Sequence, residues 1–225
     1  MDRIAVIVPV ASSEFAGPML DSLAGNTIRP SVVFVIDNTE EGFSWQGNLN
    51  VEIRRASKKL GVNSSWEFGK QLALGHKVDF ISVLNDDLLL KPNFFSEILL
   101  LFDIYRCGVA IPHTIFDKNE FLKWHEDPSW SIFRVRKYEG WAWTIRASLY
   151  AKIPPIPPQL EIFYGDAWIW YHTLRLGYFW YKTSNTVVWH RVGASVSKHG
   201  VKVMRAKRKK EKYLFLSLLG GQQSP

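Results

Sequence analysis

A lone cysteine, no long apolar run and no glycine-rich phosphate loop set the first limits on this 225-residue sequence. Cys107 has no partner in the chain, so no internal disulfide forms and a reducing compartment fits best. It follows an apolar helical run and reads as a small core residue. A chain this long buries well over half of its unfolded surface, so it needs neither a disulfide nor structural zinc as a staple. No stretch approaches the roughly 20 apolar residues that cross a bilayer. The opening MDRIAVIVPV has no basic leader and no small-residue cleavage site. No targeting segment is therefore expected, and the expected location is cytoplasmic. Neither GxGxxG nor GxxxxGK[ST] occurs, which removes the main support for dinucleotide and P-loop sites. No internal repeat is present.

Acidic surplus is also missing. The formal net charge is +7, yet residues 198–212 hold eight Lys or Arg against one Glu. Residues 1–197 are therefore neutral, and the basic character belongs to the tail. The expected division is one domain over residues 1–197 and a basic, then apolar, tail over residues 198–225.

The first half of the chain alternates apolar runs with helical stretches. IAVIVPV (residues 4–10), VVFVID (32–37), FISVLND (80–86) and GVAIP (108–112) have the continuous apolarity of strands covered on both faces, and VEIRRA (51–56) reads as a shorter strand. Between them, helices are expected over 19–24, from an Asn63 or Ser64 cap to about residue 74, and from Pro92 to about residue 105. This pattern predicts an α/β fold with a mostly parallel central sheet flanked by helices. After Trp124 the sequence turns aromatic. EGWAWTIRASLY (139–150) reads as a strand entering a helix, 166–176 as a helix and YKTSNTVVWH (181–190) as a strand. In such sheets ligands bind beyond the C-terminal strand ends, where Asp37 and residues 85–87 fall.

The strongest local signal is VLNDDLLL (83–90). Adjacent carboxylates after a buried strand raise each other's pKa unless a cation relieves them. Magnesium or manganese bridging to a diphosphate provides that relief. A helix-capping turn explains the same residues equally simply. Asp37 is open to two readings as well, a nucleobase or ribose acceptor and a turn residue.

Taken in order, these segments resemble the family 2 glycosyltransferases, with their nucleotide-sugar-binding GT-A fold. VIVPV, ending at Pro9 and Val10, resembles their opening strand. Asp37 in VVFVIDN matches the nucleoside-binding aspartate. LGVNSSWEFGKQLA (60–73), with Asn63, resembles the stretch before the metal motif. LNDD (84–87) resembles that motif, Asn85 and Asp86 on its donor side and Asp87 as the metal-binding aspartate. EGWAWTIRASLY resembles the acceptor-side segment. FYGDAWIWYHTLRLGY (163–178) resembles the segment with the catalytic base, which makes Asp166 the base. VVWHRVGAS (187–195) resembles the late segment whose histidine, here His190, binds the metal. The resemblance covers roughly residues 4–195. Two departures stand out: SSE (12–14) replaces an aromatic-Asn step, and Gly165 replaces an acidic residue before the base.

The resemblance implies a mixed acceptor-binding half. It implies a hexosyltransferase-type enzyme taking a nucleoside-diphosphate sugar and Mn2+ or Mg2+, with a surface or lipid-linked glycan as acceptor and inversion as the outcome. Asp166 at a helix N-terminus is expected to stay ionised and to take the acceptor proton; a plain N-cap is the bland reading. His190 is a ligand or a strand-end histidine, and the other five histidines have no such arrangement. Trp141, Trp143 and Trp168 either stack on sugar rings or fill the core.

Three rival classes are a catalytically inactive GT-A binding protein, a nucleotidyltransferase and a nucleic-acid binder. Ser12, Ser13 and Glu14 are the opposite of the basic loop a nucleotidyltransferase needs. A glycosyltransferase modifying nucleic acid bases stays as an alternative. For the tail, three readings stand: an anionic membrane surface on the inner face, a nucleic-acid backbone, or Leu214, Leu216 and Leu219 packing a terminal helix while lysines face solvent.

Overall fold

Seven consecutive apolar residues, Ile4–Val10, form β1, and all seven are buried. Their side chains alternate between two cores. Ile4, Val6, Val8 and Val10 face one, while Ala5 and Ile7 face the other. A sheet with a core on each face is what the continuous apolar runs predict. The computed structural model describes residues 2–125, 131–191 and 200–220.

From β1 the chain runs through α1 (Ser13–Ala24), β2 (Val32–Asp37), β3 (Val51–Arg54), α2 (Val62–Gly75), β4 (Phe80–Leu84), β5 (Leu88–Leu90) and α3 (Phe94–Leu100). It continues with β6 (Cys107–Ile115), α4 (Lys118–Lys123), β7 (Ile132–Arg134), β8 (Ala142–Arg146) and α5 (Ala147–Tyr150). The last elements are α6 (Gly165–Arg175), β9 (Phe179–His190) and α7 (Val201–Gly220). The sheet order is β3-β2-β1-β4-β8-β6-β9-β5, with β7 on β9. β3, β2, β1 and β4 are all parallel. β8 then enters antiparallel between β4 and β6, and β6 and β9 pair parallel. The expected α/β architecture is present, with the parallel strands in the first half and the mixed pairing in the second.

Three local expectations need correction. α1 starts at Ser13, before Gly17-Pro18, and carries Pro18 inside it. α2 has Gly61, not Asn63 or Ser64, as its N-cap. The GVAIP strand, expected over 108–112, runs from Cys107 to Ile115, and β8 lies between it and β4. α2 lies tight on the sheet: a Cβ at Gly69 would sit 2.3 Å from Ile7 Cγ2.

α7 packs onto the body through Leu214, Phe215, Leu218 and Leu219, the i, i+1, i+4, i+5 spacing of a one-sided helix. Leu216, expected on that face, is 51% exposed. Lys202, Lys209, Lys210 and Lys212 are exposed. Lys198 lies outside the described residues. No helix among the described residues is long and apolar enough to cross a membrane.

Candidate functional site

β1, β2 and β4 end together at one edge of the sheet, where Val10 pairs with Asp37. Asp86 and Asp87 form the turn that leaves β4 and enters β5. The two carboxylates diverge. Asp86 Oδ2 turns back to accept the backbone N–H of Ala11 at 2.8 Å and of Ser12 at 3.2 Å. Burial pushes the Asp86 pKa up to about 6; those N–H groups pull against the rise and Asp87 adds to it. Asp86 thus ties the crevice floor to the end of β1, a structural use that leaves Oδ1 for any ligand.

Asp87 points to the last strand. β5 pairs antiparallel with β9, setting Leu88 opposite His190, and Asp87 Oδ1 lies 3.3 Å from His190 Nε2. The contact is close without hydrogen-bond alignment: Asp87 Oδ1 and His190 Nδ1 are both buried with no hydrogen-bond partner. Below them, Arg191 N–H donates to the Asp87 carbonyl at 3.0 Å. The Trp141 indole stacks on the His190 imidazole at 5.1 Å and 22°, and is itself anchored by its Nε1–H on Thr114 Oγ1 at 2.7 Å.

Asp166 stands in the first turn of α6, two residues after Tyr164, whose φ of 63° is left-handed. A bulky residue held in that region costs ~1–3 kcal/mol and persists only where its surroundings enforce it. Here Tyr164 stacks on Phe215 of α7 at 5.4 Å and 22°. Asp166 Oδ1 accepts the Ala167 N–H at 2.9 Å. The helix N-terminus is not the dominant influence on the pKa of this carboxyl. Burial pushes it up to about 6, opposed by the N–H groups and by Arg208 of α7.

The two centres meet at one dipeptide. Asn85 N–H bonds the Trp141 carbonyl at 2.9 Å, carrying the β4–β8 pairing past Leu84. Trp141 covers His190, and the preceding Gly140 backs onto Asp166, where a Cβ would lie 2.7 Å from Oδ2. Gly140–Trp141 therefore joins the Asp87–His190 pair to the candidate base.

The remaining sequence candidates are placed less directly. Asp37 is buried, and its carboxylate accepts Thr39 N–H (2.8 Å), Thr39 Oγ1–H (2.7 Å) and Phe43 N–H (3.0 Å). Burial raises its pKa, but these hydrogen bonds and Arg55 outweigh that and hold it below the usual value. Three of a carboxylate's roughly four acceptor sites are thus taken by its own loop. Pro9 is buried inside the sheet opposite Ile36, one residue before β1 ends.

Asn63 is not brought to the crevice. It is 1% exposed, and its amide donates to the carbonyls of Leu160 (2.9 Å) and Phe163 (3.0 Å). It also accounts for Gly165, since a Cβ there would lie 2.1 Å from Asn63 Oδ1. Trp143 and Trp168 are core residues, 0% and 3% exposed, so of the three tryptophans only Trp141 reaches the rim. Residues 192–199, with the VGAS of the late segment and His199, lie outside the described residues.

No protein-family model matches the sequence, and no curated protein does. Solved structures match by fold. GalNAc-T7 with UDP, GalNAc and Mn2+ superposes with a TM-score of 0.66 at 13% identity, over 85% of this chain and 44% of that one. S. aureus TarS 1–349 in complex with UDP-GlcNAc gives 0.62 at 14%, over 91% and 65%. S. aureus TarS gives 0.61 at 15%, over 85% and 37%.

The chain has the GT-A fold. It spans less than two thirds of the length of each of these chains.

Two residues around this candidate site carry no motif. Glu211 of α7 is 2% exposed, and its Oε2 accepts the Phe163 N–H at 2.7 Å and the Ile162 N–H at 3.3 Å. It fixes the loop that leads to Asp166. Its signal in the sequence is that it is the single acid in a cationic run. Arg191 follows His190 and places its guanidinium on Glu14 (3.2 Å) and over the Phe15 ring (4.3 Å). It closes the crevice above α1, and nothing but adjacency to His190 marks it.

Proposed function

We propose that this chain is a glycosyltransferase that moves a hexosyl group from a nucleoside-diphosphate sugar to an acceptor hydroxyl, with inversion at the anomeric carbon. One observation carries the reading: Asp87–His190 and Asp166 converge on the two sides of Gly140–Trp141. A donor-side cation site and an acceptor-side base, linked through one dipeptide, are what a single displacement needs. In this reading Asp166 accepts the proton of the acceptor hydroxyl as its oxygen bonds to the anomeric carbon. The bond from that carbon to the diphosphate oxygen breaks, and the nucleoside diphosphate leaves with the electron pair. Trp141, half-buried at the rim, offers an indole edge for the sugar.

The residues present fit a divalent cation. Asp87 Oδ1, buried and without a hydrogen bond, faces His190 Nε2 at 3.3 Å, so a carboxylate oxygen and an imidazole nitrogen are presented together; a buried polar atom left unbonded costs ~1–3 kcal/mol. Among the described residues no group of three His, Cys, Asp or Glu forms a closed cage. A sparse set of one carboxylate and one imidazole suits Mn2+ or Mg2+ that draws its other ligands from substrate phosphates and water. When bound, the ion offsets charge on the departing diphosphate.

The test is a screen of purified protein with Mn2+ against the common nucleotide-sugars, read by release of nucleoside diphosphate. Asp87→Ala is expected to abolish release and to lose Mn2+ binding while keeping the parental circular dichroism. Undiminished release in that variant, or in excess EDTA, overturns the reading.

A further inference from the structure

α7 carries seven Lys or Arg and one Glu, and the Glu faces inward. Lys207 pairs with Glu161. Four others, Arg205, Arg208, Lys209 and Lys212, line an open concavity of about 340 Å³ together with Tyr164. Among the described residues no carboxylate forms an ion pair with any of the four. A concave surface lined by one sign of charge concentrates counter-ions. Four cations exceed what one carboxylate neutralises, and two of them are guanidiniums, whose fork matches a phosphate.

The concavity adjoins the base. Tyr164 lines it and lies two residues before Asp166, and Arg208 bears electrostatically on both Asp166 and Tyr138. Its guanidinium lies 5.9 Å from the Phe163 ring. The wall is also fixed, because Glu211 holds the backbone of Ile162 and Phe163 and Phe215 stacks on Tyr164.

We propose that this concavity is an acceptor subsite for a phosphate group: Arg205, Arg208, Lys209 and Lys212 hold the phosphate while a nearby hydroxyl of the same molecule reaches Asp166. This rests on the reading of Asp166 as the base. It turns the basic helix from a solvated face into part of acceptor recognition, and it makes the substrate a phosphate-bearing alcohol.

The probe is glycerol 3-phosphate, with glycerol as the uncharged control, titrated into the full chain and followed by amide NMR. The Ala167 amide, bonded to Asp166, and the Tyr164 amide report the position. Saturable shifts of both are expected with glycerol 3-phosphate alone. The R205Q/R208Q/K209Q/K212Q variant is expected to bind at least tenfold more weakly, Arg208→Gln to fall between, and the exposed pair K202Q/K210Q to bind as the parent does. Vesicles of phosphatidylglycerol separate the sources. Displacement of glycerol 3-phosphate assigns the phosphate to a lipid headgroup, and no displacement assigns it to a soluble or polymeric acceptor. Absence of saturable binding, equal binding by the fourfold variant, equal weakening by K202Q/K210Q, or binding of duplex DNA alone overturns the proposal. UDP binding on the same samples reads the donor side, so a failed glycosyltransferase reading and a failed subsite give different patterns.

Discussion

Replacing Asp166 by Asn should make the protein more stable and nearly inactive, and the stability gain should depend on pH. The folded carboxyl has a pKa of about 6 against an ordinary 3.8, chiefly because it is buried. A gap of about two units, at roughly 1.4 kcal/mol each, makes the ionised form cost the fold at most ~3 kcal/mol above pH 7. Below about pH 4 the group is protonated in both folded and unfolded chains and costs nothing. Parental stability therefore falls as pH rises from about 4 to 6. Asn is neutral throughout, and its Oδ1 can accept the Ala167 N–H as Asp166 Oδ1 does. For a chain of this size 1 kcal/mol is ~2–4 °C of Tm. The variant should then melt up to ~12 °C above the parent at pH 8 and within ~2 °C of it at pH 4. Its turnover should fall by ~10²- to 10⁴-fold. Scanning calorimetry at pH 4, 6 and 8, beside an assay of nucleoside diphosphate release, checks both. A Tm difference that does not widen between pH 4 and 8, or parental turnover, refutes the reasoning.

Two further substitutions probe the support of Asp166, the proposed base. Gly165→Ala should cost ~1–3 kcal/mol in urea denaturation, because its methyl meets Asn63 Oδ1; Asn63→Gly in the same chain should recover part of the loss, and strict additivity of the two would show that they do not touch. Glu211→Ala should cost ~2–4 kcal/mol by orphaning the Ile162 and Phe163 N–H groups, and should lower kcat through the loosened base loop. A parental melting curve for that variant would rule out the clamp.

The parallel half was legible because three of its strands are almost wholly apolar and covered on both faces: every residue of β1, β2 and β4 is buried. The motif order placed LNDD at a strand end and put Asp166 in the first turn of a helix. The insertion of β8 between β4 and β6 was not legible, since strand order is a tertiary choice that periodicity does not encode. The same limit applies to Asn63. An Asn near a helix start suggests a cap or a ligand contact, and only the approach of Gly165 shows its amide to be committed to the loop at 160–163. Tryptophan spacing likewise could not separate Trp141 at the rim from Trp143, two residues on and fully buried. Asp166 was placed on its helix, yet the rise in its pKa comes chiefly from burial, which a sequence shows poorly.

The sheet order also sets a timetable. β1 to β4 can pair as soon as they leave the ribosome, but Asp87 waits for His190, about a hundred residues further along. At ~5–20 residues per second, that is roughly 5–20 s of synthesis. Asp166 waits for α7 to restrain its loop. Through that interval the emerging chain holds Asp86 and Asp87 without His190, and β4 has an open edge until β8 slots in. The interval exposes the nascent protein to strand-edge association, and it keeps the assembled centre from existing before the final helix has docked.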